Sequence, residues 1–145
     1  SVPELVLEVG KTHDLSEDAS VLYLQTLALV NPTAKSIKLW NDWKPAQYKK
    51  ATKELVAHPE KLLLEAKRAR AGRAHFLPGA WEALKSPLPP LETWKLPLYG
   101  IERREEGGLV IPLGRIVPLE PLHLIFEAAW KRVREDDRPA YEEVG

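Results

Sequence analysis

A chain of 145 residues, 44% hydrophobic and 29% charged, is long enough for one domain with a buried core, and its 21 basic and 21 acidic residues cancel. The lack of cysteine excludes disulfides, zinc–thiolate sites and cysteine nucleophiles. No apolar run reaches ~18 residues, and the opening Ser1-Val2-Pro3-Glu4 lacks the basic-then-apolar order of a signal peptide, so no membrane partner is expected and the cytoplasm is the default compartment.

In chain order, Glu4 to Val9 alternates loosely and reads as a short strand closed by Gly10, or as a linker over residues 1–13. Asp14 to Val30 reads as a first helix, capped by Asp14 or Ser16, with Glu17 and Asp18 at the positive end of its dipole. From Ala19 to Val30 its clearly polar residues are Ser20, Gln25 and Thr26, so it should be a buried central helix. Asn31-Pro32 stops it. Thr33 caps a short second helix, Ala34 to Asn41, with Ile37 and Trp40 on its buried face.

The third helix has the best-marked start. Pro45 suits its first position, Lys44 the cap, and Gln47 the third residue, from which it can reach back to the cap backbone. Trp43 and Tyr48 stand where a hydrophobic staple would form. Tyr48, Ala51 or Thr52, and Leu55 should face inward, and Gln47, Lys49, Lys50 and Lys53 outward. His58-Pro59 ends the helix. Lys61 to Lys67 and Arg73 to Pro78 read as two strands. The turn between them, Arg68-Ala69-Arg70-Ala71-Gly72, is basic, with Gly72 free to take a positive φ.

Charge is concentrated in this part. Between Thr33 and Arg73 eleven basic residues stand against four acidic ones, a net +7, so the remainder carries −7. That asymmetry points to binding. A buried helix, a short helix, a helix with a polar face and a basic hairpin follow in order. This resembles a winged helix-turn-helix domain over residues 14–78. The resemblance implies contact with double-stranded DNA through the third helix (Gln47, Lys49, Lys50, Lys53) and the wing (Lys67, Arg68, Arg70, Arg73). The helix face is lysine-rich, and lysine suits phosphate better than base edges. The wing arginines, set among small residues, are expected to supply most of the affinity.

Beyond residue 78 the pattern changes. Pro87, Pro89, Pro90 and Pro97, with Trp81 and Trp94, make a Pro/Trp-rich strap with short helices at Trp81–Leu84 and Leu91–Lys95. A hairpin from about Tyr99 to Val117 should follow, turning at Glu102 to Gly108. The last helix, within Pro118 to Arg134, should bury Leu122, Phe126, Ala129 and Val133, with Leu124, Ile125 and Trp130 broadening that face. Residues 79–145 are thus an extension of the same folding unit, and the class is α+β.

Catalysis finds no motif. His13, His58, His75 and His123 lie far apart, with no metal-binding spacing, and there is no phosphate loop. No catalytic residue, metal ligand or cofactor is assigned. Methionine is absent even at position 1, which points to processing or, the reading we favour, to a domain of a longer protein. The alternative to DNA binding is a winged-helix protein-interaction or scaffold domain of a multidomain protein. A second copy of the chain, as in a dimeric regulator, is a further candidate partner.

Overall fold

The computed structural model describes residues 2–70, 72–82, 91–111, 116 and 120–140, with the side chains of Arg70 and Glu82 left out. Five α-helices and three two-stranded antiparallel ladders are described, an α+β architecture. The helices are α1 (Val2–His13), α2 (Glu17–Ala28), α3 (Ala34–Asn41), α4 (Pro45–Val56) and α5 (Leu122–Arg134). The ladders pair β1 (Leu64–Arg70) with β2 (Arg73–Phe76), β3 (Trp81–Glu82) with β4 (Leu91–Glu92), and β5 (Glu102–Arg103) with β6 (Leu109–Val110). A 3₁₀ helix, Thr93–Tyr99, follows β4 directly.

Helix α2 is the axis of the fold, packing against α1, α4, α5 and the 3₁₀ helix. Its Ala19, Leu22, Tyr23, Leu24, Leu27 and Ala28 are all buried, as its nearly all-round apolar sequence dictates. Ser16 starts it by accepting a bond from the Ala19 N–H at 3.2 Å. The carboxylate of Glu54 on α4 then takes the Ser16 N–H and Oγ–H, both at 2.8 Å, which ties the cap of α2 to α4. Two carbonyls at the other end of α2 are also used: Tyr99 Oη donates to Ala28 O, and Lys95 Nζ to Leu29 O.

The N-terminal segment is a helix, not the strand or linker its loose alternation suggested. Leu5, Val9 and His13 lie four apart and turn towards the core, with Val9 and His13 fully buried. Gly10 does not close a strand. It lets α1 approach α2 closely: a Cβ there would stand 3.0 Å from Ser20 Oγ.

Helices α2, α3 and α4 and the β1–β2 hairpin follow one another in the expected order. Thr33 caps α3, accepting from Ser36 N–H at 3.0 Å. On α3 only Ile37 is fully buried; Trp40, expected beside it, is 55% exposed and Leu39 76%. Asn41 takes the flank next to α2 instead, exchanging two amide hydrogen bonds with Gln25 at 2.8 and 2.9 Å. Lys44 and Pro45 start α4 as the sequence predicts. Trp43 and Tyr48 are both half-buried against the core.

In the C-terminal part, Trp81–Glu82 is strand rather than helix, and Leu91–Glu92 is strand leading into the 3₁₀ helix. The expected hairpin is present as β5–β6, with its turn at Arg104 to Gly108. The expectations for residues 83–90, 112–115 and 117–119 fall outside the described residues. Helix α5 buries Ile125, Ala129, Trp130 and Val133, while Leu122 is 49% exposed. All four buried residues belong to the face expected, Phe126 packs partly buried against the core, and Leu122 and Leu124, in the first turn, stay exposed. One hydrophobic cluster joins residues of the first 78 positions, such as Leu27, Ile37 and Leu55, to Leu91, Tyr99, Ile125 and Trp130.

Candidate nucleic-acid interface

Helix α4 is amphipathic. Ala51, Thr52 and Leu55 are buried, and Gln47, Lys49, Lys50 and Lys53 are exposed. The N-cap at Lys44 makes no side-chain bond, so Pro45, with no N–H to satisfy, carries the start. Gln47 does not reach back to that cap. Its amide nitrogen donates to Asp18 on α2 at 3.2 Å, so this base-reading candidate is engaged by an acid. Lys50 borders the same shallow cleft, beside Glu17 and Asp18.

The hairpin lies along the other flank of α4. The Tyr48 and His75 rings meet edge-on at 6.2 Å, and Lys38 of α3 sits 5.9 Å from the Tyr48 ring. Between α4 and the hairpin runs a groove of about 400 Å³, floored by Tyr48, Thr52, Val56 and Ala57 and edged by Lys49, Lys53, Glu65 and His75. Burial holds the His75 imidazole below its ordinary pKa against the raising effect of Glu65, 4.0 Å away. Gly72 has a φ of +79°, as the turn requires, and an added Cβ would meet Thr33 Cγ2 at 3.3 Å. The tip of the hairpin thus rests on the start of α3.

The hairpin cations divide. Lys67 and Arg68 are exposed. Arg70 pairs with Arg73 across the ladder, and its side chain is outside the described residues. Arg73 was expected at the basic tip, but it is only 1% exposed. Alternation along β2 turns Arg73 and Leu77 inward together, and the interior holds a carboxylate for the guanidinium. Glu92 of β4 accepts from Arg73 Nη1 at 2.8 Å and from Nη2 at 2.7 Å, a two-pronged pair. Lys95, also fully buried, stands 3.1 Å from the same carboxylate. Arg73 is therefore not a surface contact.

Sequence reasoning missed this cluster, because Glu92 and Lys95 lie in the strap, 19 and 22 positions from Arg73, and no local spacing links them. It also missed a smaller one. His13, treated as isolated, lies 6.0 Å ring to ring from His58 and 3.4 Å from a Glu60 oxygen, and packs edge-on against Tyr23 and Trp130. His58 Nε2 bonds His13 O at 2.7 Å. Burial lowers the His13 pKa, with Glu60 opposing and His58 and Arg138 assisting. Among the described residues no group of three or more His, Asp or Glu side chains could hold a metal ion, and no helix is long and apolar enough to cross a membrane.

No known family, curated protein or solved structure matches the chain.

Proposed function

We propose that the chain binds double-stranded DNA as a winged helix-turn-helix module, with α4 and the β1–β2 hairpin meeting the phosphate backbone. One observation carries this reading. Lys49, Lys50 and Lys53 of α4 and Lys67 and Arg68 of β1 are exposed, and none has an acidic partner among the described residues. Around α5, by contrast, Arg132, Arg134 and Arg138 are held by Asp137, Glu8 and Glu60. Cations not bound in ion pairs are free to meet a polyanion, although Glu17, Asp18 and Glu65 lie near the α4 lysines. The contacts suit phosphate rather than base edges: four of the five are lysines, and the base-reading candidate Gln47 is held by Asp18.

Duplex affinity measured by fluorescence anisotropy across a salt series tests this. The logarithm of affinity should fall with the logarithm of salt by about 0.9 per phosphate neutralised. Replacing Lys49, Lys50 and Lys53 by alanine should flatten the slope by up to about three, and replacing Lys67 and Arg68 by up to about two, for any duplex sequence. With Arg73 withdrawn into the interior, the helix set is expected to matter at least as much as the hairpin set. Absence of binding at low salt defeats the reading.

A second reading, a protein-interaction or scaffold domain, is favoured by Leu39 and Trp40. They are 76% and 55% exposed on α3, where a monomer would gain by burying them. If Trp40→Ala abolished self-association while a salt series showed no DNA binding, this reading would replace the first.

A further inference from the structure

Three ionised side chains share the interior between the hairpin and the end of α2. Arg73, Glu92 and Lys95 are 1%, 2% and 0% exposed. The Glu92 carboxylate takes both Arg73 nitrogens and the Leu77 N–H at 3.2 Å, and stands 3.1 Å from Lys95 Nζ. Lys95 in turn donates to Leu29 O, just past the end of α2. Arg73 also lies over the Phe76 ring at 4.4 Å. The first residue of β2 and the residue just past its end are thus bonded to one carboxylate, which is paired with the lysine that bonds the end of the central helix.

For stability alone the arrangement is a poor choice. Two buried cations share one anion, and Arg73 Nε is buried with no hydrogen-bond partner. Well-packed apolar side chains of the same volume often hold a core together as well or better. Directional bonds supply what apolar packing does not, a single permitted orientation. Orientation matters at this place. The ladder joining β1 to β2 is irregular between Glu65 and Arg70, the stretch that carries Lys67 and Arg68. Among the described residues those two cations have no ion-pair partner, and the ladder pairs β1 with β2 only on either side of them, at Glu65 and Arg70.

We propose that Arg73 and Glu92 are positioning residues, which fix the basic hairpin beside α4 so that Lys67, Arg68 and the α4 lysines meet one phosphate backbone together. Neither touches DNA. This rests on the DNA-binding reading above, and it inverts the role that the sequence suggests for Arg73. Lys95 completes the lock by holding Glu92 against α2.

Two variants of the full chain separate positioning from mere folding. The triple variant R73M/E92L/K95M removes all three charges at nearly constant volume. E92Q keeps the shape and weakens the bonds. Amide hydrogen exchange is measured for hairpin residues 64–76 and for α2, together with duplex affinity and its salt slope. In the triple variant α2 should stay protected, hairpin amides should exchange at least tenfold faster than in the parent, and affinity should fall to that of K67A/R68A. E92Q should move the same readouts in the same direction, and it carries the test should the triple variant not fold. Unchanged hairpin exchange and unchanged affinity in a folded variant overturn the proposal. A parent protein that binds no duplex overturns it too, together with the DNA reading; the exchange data then tell that failure from failure of the lock alone.

Discussion

At Glu92 two effects oppose each other. Burial pushes the carboxyl pKa up, but the Lys95 charge, the bonds and charge of Arg73, and the Leu77 N–H outweigh it and hold the pKa at about 2. Burial brings the Lys95 ammonium down to about 8, against the raising effect of Glu92. The signs differ in consequence. Glu92 contributes stability that is complete above its ordinary pKa of 4.5 and is lost as pH falls from there towards 2. Lys95 charges less readily in the folded state than in the unfolded one, so its contribution improves as pH rises from about 8 towards 10.5. Thermal midpoints between pH 5 and pH 2 should therefore fall more steeply for the parent than for Glu92→Gln. At pH 5 that variant should be less stable by about 3–5 kcal/mol, since it leaves two buried cations without an anion. Equal slopes would remove Glu92 from the account. None of this was legible in the sequence. Arg73 stands in a run of surface-type arginines, and its inward direction follows from a partner in a Pro-rich strap. Lys49, Lys50 and Lys53 were legible, because a helix whose apolar positions are Tyr48, Thr52 and Leu55 can leave them nowhere but outside.

At the scale of elements, local chemistry was the reliable guide. The caps at Ser16 and Thr33 and the proline start at Pro45 stand as the residues dictate. Ser16 does more than cap, since its hydroxyl both accepts from Ala19 and donates to Glu54. Ser16→Ala should therefore cost more than an isolated cap, about 1–2 kcal/mol, and Glu54→Gln should cost less when combined with it than when alone. Urea denaturation of the two single variants and the double variant measures the coupling; full additivity would show that cap and cross-link are independent. Helix α1 was misread for a physical reason. Leu5, Val6, Leu7 and Val9 fit a period of two nearly as well as a helical one, and Gly10 looks like punctuation. The closeness of Ser20 Oγ and of the Leu15 carbonyl, 3.0 and 3.2 Å from where a Cβ would stand, explains why glycine stands there. The face of α3 was misjudged because position within a turn does not reveal which neighbour competes for the core. Asn41 meets Gln25, and Trp40 is left exposed.

On the scale of the whole molecule, the first and last helices close the same core. Trp130 is fully buried with its ring edge-on to His13 of α1, and Arg134 of α5 reaches Glu8 of α1 at 3.0 Å. A chain cut after Leu98 loses α5 and the Tyr99 bond to α2, so it should expose the apolar side of α2, aggregate and show no cooperative unfolding by circular dichroism. A soluble fragment with a sharp transition would divide the protein into two units. The order of elements was visible beforehand, since each is short and locally signalled. The closure was not, because pairing between remote helices leaves no local pattern.

That closure has a consequence for synthesis. Glu8 and Arg134 are 126 positions apart. At roughly 5–20 residues per second, a ribosome takes on the order of 6–25 s to pass from one to the other. For most of that interval α2 has been made without its last partner, and its apolar side is open to other chains.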